Sequence, residues 1–477
     1  LLIKYQVSAS AVPKNIGNFG IICDFCPLEP VSNQTIQIMK DTPIPFEVVS
    51  RHIRESKIRN IGRASIREIK RLINCIEQET GHKYVRMEMG VPGLKAVEVG
   101  VQAEIAALQA GVASIYPEIE GIPALKKEAS RFVKLFMNID IDPGHCIPTV
   151  GSMQGGFAAF ITMARLHRKK DTTLFIDPGF PVHRQQHIIL GQKYESFDIY
   201  DYRGDKLRDK LESYFSKGNI HSVLYSNPNN PSWVCFTDKE LRIIGELATK
   251  YGVVIIEDLA YFGMDFRKDY SKPGEPPYQP TVATYTDNYI LLISSSKVFS
   301  YAGQRISLML ISDRLFDVTS EDLLRYYTTD ILGRAIIYGT VYALSAGTSH
   351  SAQYGLAAML KASNDGTYNF VEVVKEYGHK AKIMKKLFTD NGFRIVYDMD
   401  EDDPIADGFY FTISYPGFTG EELIEELIYY GISAIALSIT GSSRHEGVRA
   451  CVSLVPRDQF PALEERLKKF YELHPTG

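Results

Sequence analysis

From about residue 145 to residue 311 the chain alternates short apolar runs with amphipathic stretches of helical period. The runs read CIPTV, TLFID, HSVLYS, VVIIE, YILLIS and ISLMLI, with QGGFAAFITMARLH and DKELRIIGELATKYG between them. They are bounded by turn residues and would each be buried on both faces. This pattern predicts an α/β unit, a mostly parallel sheet covered by helices. A helical stretch over about 320–391 follows. Then GFYFTIS, ISAIALSI and VRACVSLV mix with EELIEELIYYG and ALEERLKKFYEL, which predicts a smaller α+β unit.

Residues 1–80 carry less pattern. The proline-containing PLEPVSN and DTPIPFEVV precede SIREIKRLINCIEQETG, whose Ile66, Ile69, Leu72, Ile73 and Ile76 share one helical face and which closes at Gly81. A chain of 477 residues is expected to hold several domains. The expected division is an N-terminal extension of open role (1–83), the first part of the small domain with its connection (84–115), a large domain (116–345) and a C-terminal small α+β domain (346–477).

Composition removes several classes. A net charge of −4 without a long basic run speaks against a nucleic-acid partner. No run of about eighteen apolar residues suggests a membrane span, and the N-terminus does not read as a signal peptide. The six cysteines, Cys23, Cys26, Cys75, Cys146, Cys235 and Cys451, are spread as in a cytoplasmic protein. Cys23 and Cys26 form one CxxC without a second pair or a nearby histidine; a zinc or redox role stays open, and two ordinary thiols is the favoured reading. The histidines show no HExxH spacing, so no metal is expected.

In parallel α/β sheets ligands bind beyond the carboxyl ends of the strands. CIPTV runs into GSMQGG and a helix, whose N-terminus could meet an anion, although Gly and Ser also serve as plain turn residues. TLFID runs into DPGFPVH, placing Phe180 at the edge, as a ligand contact or a core cap. HSVLYS is followed by NPNNPSW, a rigid turn presenting Asn230. VVIIE leads to Asp258 and Tyr261; a buried acid needs a partner, unless it caps the next helix. YILLIS leads to SSSKVFSYAGQR, with Lys297 three residues past the strand and Arg305 eight further on. A lysine at a buried strand end can act as an imine-forming amine, whereas most lysines are solvated surface.

Taken in order, NPNNP, then EDLAY, then SSSK with an arginine at the eighth position beyond, the chain resembles the fold-type I pyridoxal-phosphate enzymes, specifically the class I/II aminotransferases, over roughly residues 84–470. The resemblance implies a large cofactor-binding domain around a mostly parallel seven-stranded sheet and a smaller α+β domain. It implies a transaminase exchanging an amino group between an α-amino acid and a 2-oxo acid, with pyridoxal 5′-phosphate as cofactor. Lys297 would carry it as a Schiff base and shuttle the α-proton. Asp258 would pair with the pyridine nitrogen, Asn230 and Tyr261 would bond the phenolic oxygen, Phe180 would stack on the ring and His183 would stand behind Asp258. The phosphate would be held by Ser152, the N–H groups of Met153 and Gln154, Ser294 or Ser296, Arg305, and Tyr116 from the other chain of a homodimer with shared sites. Arg449, in EGVRACVSLV, would grip the substrate carboxylate, with Gly90 in MEMGVPG beside it; Arg444 is a solvated loop residue or a second acid-binding group. Two features depart from the family's pattern. Trp233 stands where the turn NPTG has glycine, and the first 80 residues match nothing in it. C–S β-elimination or decarboxylation would use the same site. A transcription regulator with an aminotransferase-like effector domain would need an N-terminal winged helix, and residues 1–80 show no such pattern.

Overall fold

A computed structural model describes residues 41–476; Cys23, Cys26 and the rest of 1–40 lie outside the described residues. The described chain opens with a helix the sequence pattern did not reveal, Phe46–Glu55, which packs on the predicted helix Ile66–Thr80 and on the helix Gly420–Tyr429. Phe46 stacks on Tyr429 with ring centroids 4.8 Å apart. Ile66–Thr80 forms where Ser65 and Glu68 make a reciprocal capping box, and it ends at Gly81, whose φ of 71° is a left-handed cap. Ile69, Leu72, Ile73 and Ile76 are buried as the spacing predicted, whereas Ile66 in the first turn is only half covered. Strand β1 (Val85–Arg86) follows, then the helices Glu98–Gln109 and Pro123–Met137.

The large sheet is built from β2 (Cys146–Thr149), β3 (Thr172–Asp177), β4 (Lys193–Asp198), β5 (Ile220–Ser226), β6 (Val254–Leu259), β7 (Tyr289–Ser294) and β8 (Ser307–Ile311). Their spatial order is β2-β8-β7-β6-β5-β3-β4, and every pairing is parallel except those of β8. Apart from β4 these strands are buried along their whole length, as the apolar runs required. β4, KYESFD, escaped the apolar reading because it is an edge strand with one end exposed. Asp258 lies inside β6, one residue before its end, and not beyond it.

The C-terminal part contributes β9 (Arg394–Ile395), β10 (Met399–Asp400), β11 (Asp403–Pro404), β12 (Tyr410–Ser414), β13 (Ile432–Ser433), β14 (Ile435–Ala436) and β15 (Val448–Cys451). An antiparallel sheet runs β14-β15-β12-β9, and β1 joins this region by pairing in parallel with β13. The helix His350–Asn364 packs on Glu98–Gln109 and Pro123–Met137. Asn364 Nδ2 donates to the Glu128 carbonyl at 3.0 Å, and Gln353 Oε1 accepts from Ile122 N at 2.8 Å.

Candidate active site

The carboxyl ends of four adjacent strands converge on one cavity of about 320 Å³: Asp177 of β3, Ser226 of β5, Asp258 of β6 and Ser294 of β7 all line it. Lys297 enters from the short helix Ser295–Val298, which starts where Ser294 Oγ accepts from Ser296 N at 3.1 Å. Its ammonium donates to the Gly90 carbonyl and sits 5.3 Å from the Phe409 ring centroid. Burial, helped by the charges of Arg449 and Arg305, lowers its pKa to about 8. An amine that sheds its proton near neutrality can serve as nucleophile and as base.

Burial pushes the Asp258 carboxyl up to about 7, against the Ala260 N–H (3.1 Å) and the Lys297 charge. Among the described residues no arginine or histidine pairs with it, and a buried carboxylate in that condition is costly unless a cation comes to it. His183 is buried, with Nδ1 unpartnered, and burial drops its pKa to about 4, so the ring is neutral. It meets the Phe180 ring edge-on, with centroids 5.6 Å apart.

At the other end of the cavity the helix Gly151–Leu166 begins at Gly151 (φ 67°), where a Cβ would collide with Arg305 Nη2. The Arg305 guanidinium thus lies against a helix N-terminus whose N–H groups are free to bind an anion. Ser152 Oγ is buried there without a partner. A phosphate dianion suits this donor set. Ser152, Met153, Ser294, Ser296 and Arg305 line the cavity; Gln154 does not, its Oε1 accepting from Val150 N at 2.7 Å.

From the small domain come Arg449, 1% exposed on β15, and Tyr410 on β12. Arg449 donates to the Glu88 carbonyl (2.6 Å) and to Asn230 Oδ1 (3.4 Å), while its Nε has no partner. Asn230 is set by its own backbone N–H donating to Ser226 Oγ at 3.1 Å. Gly90, Phe180 and Tyr261 complete the predicted set. Tyr116 is 91% exposed and reaches no part of this cavity. Arg444 pairs with Asp201 and lies outside it.

Trp233 is fully buried at φ 67°, the left-handed region that glycine favours, and its indole fills the place a Cβ on Gly408 would need. It backs Tyr261 (5.3 Å) and Tyr410 (6.2 Å), so it shapes the cavity wall without lining it. The sequence pattern did not disclose Ser226, Tyr410 or the Asp177–Arg184 ion pair in the cavity wall. The strand-end rule would have found Ser226 and Asp177; Tyr410 leaves no local signal.

Among the described residues no helix is long and apolar enough to cross a membrane, and no cluster could hold a metal ion. The family model for class I and II aminotransferases matches residues 83–467. The chain is 25% identical over 353 residues to a Methanocaldococcus jannaschii protein described as "Probable aspartate aminotransferase", covering 72% of this chain and 84% of that one. It is 22% identical to the LL-diaminopimelate aminotransferase of Natranaerobius thermophilus, over 83% of this chain and 94% of the relative. Among solved structures it resembles the alanine aminotransferase of Pyrococcus furiosus (TM-score 0.69, 20% identity, 86% of this chain and 97% of that one). It resembles a double mutant of the Thermus thermophilus aspartate aminotransferase equally well (TM-score 0.68, 15% identity, 89% and 98%). The chain belongs to the class I and II aminotransferase family and is a transaminase.

Proposed function

We propose that this transaminase works with pyridoxal 5′-phosphate, the cofactor of its family, held on Lys297, and that it takes amino acids with neutral side chains. The observation that carries the reading is the pairing of a buried amine, Lys297, with a buried carboxylate free of any arginine or histidine partner, Asp258, above the anion cradle of Gly151, Ser152 and Arg305. When bound, the cofactor supplies an electron sink for the pair left at the substrate α-carbon. The remaining work falls to the chain. Asp258 would pair with the cofactor's ring nitrogen, which would give its otherwise costly buried charge a partner. Phe180 covers one ring face, with the neutral His183 behind. Asn230 and Tyr261 address the phenolic oxygen. Ser152, the Met153 N–H, Ser294, Ser296 and Arg305, which line the cavity, would hold the phosphate, and Gln154, outside it, would not. Lys297 Nζ takes the α-proton and returns it, and Arg449, with Gly90 beside it, fixes the substrate carboxylate.

The preference for neutral donors rests on charge. The cavity's cations are Lys297, Arg305, Arg449 and Arg184, and Arg184 is engaged by Asp177 and Ser196. Ile66, Met89 and Val91 add apolar surface to the cavity. We also propose a homodimer: Ile115, Tyr116, Tyr338, Tyr342 and Tyr354 are exposed apolar side chains, and Tyr116 would serve the phosphate of the other subunit. The test is to load the protein with pyridoxal phosphate and follow its visible band as single amino acids are added. Neutral amino acids should bleach the band and stop until a 2-oxo acid is supplied. A colourless protein, or Lys297→Ala with an unchanged band, refutes the cofactor assignment; bleaching by aspartate alone refutes the substrate class.

A further inference from the structure

Tyr261 and Tyr410 come from distant parts of the chain and meet over the cavity, the Tyr261 hydroxyl donating to Tyr410 Oη at 2.9 Å. A phenol has one proton to give. If Tyr261 gives it to Tyr410, it meets the phenolic oxygen of a cofactor only by letting Tyr410 go. We infer that Tyr410 is a positioning residue: it competes for the Tyr261 proton, weakens the hold of Tyr261 on the cofactor, and so raises the pH at which the lysine-linked nitrogen loses its proton. The inference rests on the cofactor reading above.

The competition is built in, because the Tyr410 ring has nowhere to go. The Arg449 guanidinium carbon stands 4.7 Å from its centroid, Trp233 lies 6.2 Å away and Tyr261 5.5 Å away. On the remaining side the backbone of Gly90 comes so close that a Cβ there would collide with the Tyr410 hydroxyl. Phe409, next to it in the chain, packs against Tyr261 with centroids 5.4 Å apart, and the Lys297 ammonium stands 5.3 Å from the Phe409 ring centroid. The charged and titratable groups facing the pair are Arg449 and Cys451 of β15, with Lys297 beside them. Replacing Tyr410 by phenylalanine keeps the ring packing and removes the hydroxyl that accepts the Tyr261 proton, together with that hydroxyl's own proton.

The physical consequence has a sign. A donor to the phenolic oxygen stabilises its negative charge, which favours loss of the proton shared with the neighbouring nitrogen. Tyr410→Phe frees the Tyr261 proton for that oxygen, so the pH midpoint of the visible band of the loaded protein should fall by about half a unit, the size of one modest hydrogen bond. Tyr261→Phe should move the midpoint upward, and adding Tyr410→Phe to it should change nothing further. A midpoint that stays or rises in Tyr410→Phe, or a fall that persists in the Tyr261→Phe background, overturns the inference while leaving the cofactor assignment intact. A wild-type protein that takes up no pyridoxal phosphate overturns both.

Discussion

The cavity has two walls of different construction. One is the edge of the large sheet, where Asp177, Ser226, Asp258 and Ser294 end adjacent strands locked in register by the ladder. The other gathers Ile66, Gly90, Tyr410, Thr440 and Arg449 from five separate segments. Here the groups hold one another: Arg449 is anchored by the Glu88 carbonyl and Asn230, and Lys297 reaches across to Gly90. On the first wall the backbone places each group, so a substitution should delete chemistry and leave geometry. On the second wall the groups are held by contacts between separate segments, such as Arg449 on the Glu88 carbonyl, so a substitution should disturb binding first.

The largest effect expected from this contrast is at Asp258. Asp258→Ala should keep the bound cofactor and lower turnover by about 100-fold or more, the scale of a lost proton-transfer or charge-pairing group. Loss of the visible band together with turnover would show that the sheet wall is no more rigid than the other. The same residue sharpens the comparison in the cofactor-free protein. Its folded-state carboxyl is raised to about 7 from an ordinary 3.8. Between those values the folded chain keeps a proton that the unfolded chain has lost, so stability falls as pH climbs through the window and the full penalty stands above pH 7. Asp258→Asn removes that penalty. It should stabilise the cofactor-free protein at pH 8 by roughly 4 kcal/mol at most, the shift of about three units converted at about 1.4 kcal/mol each, and by much less at pH 5. Urea midpoints for both proteins at both pH values decide it, and an equal difference at the two rejects the assigned cause.

Across the cavity, Arg449→Ala should lower kcat/KM by about 10- to 100-fold, chiefly through KM, as expected for a charge-assisted hydrogen bond to a carboxylate. A fall confined to kcat would place Arg449 with the sheet wall's kind of residue.

The same contrast explains what could be read in advance. The sheet wall follows from local pattern: an apolar run followed by a polar residue close to the strand's end, as at Asp258, or just past it, as at Asn230 and Lys297. β4 was missed because an edge strand does not need an apolar face. The helix Phe46–Glu55 was missed because the prolines of DTPIPFEVV read as irregular chain, although it packs on the nearby helix Ile66–Thr80 as well as on Gly420–Tyr429. Tyr410 was missed because its partner Tyr261 is 149 residues away. Arg449 was reached through resemblance, because nothing near it in sequence marks it apart from Arg444, which the fold turns outward to Asp201.

Trp233 stands behind both walls, since it ends the turn that presents Asn230 and packs into the space left by Gly408. Its left-handed backbone is strained for any residue with a Cβ, by about 1–2 kcal/mol, and Trp233→Gly would relieve that. It would also empty a fully buried site, and losing a large aromatic from a core costs about 3–5 kcal/mol. Packing wins, leaving a net loss of about 2 kcal/mol in urea unfolding. Because the indole supports the Tyr261 and Tyr410 rings and touches no part of the cavity, turnover at saturating substrate should fall only a few-fold while KM rises. A variant as stable as the parent would mean that the strain outweighs the packing, and that the glycine usual in the family is also the better residue here.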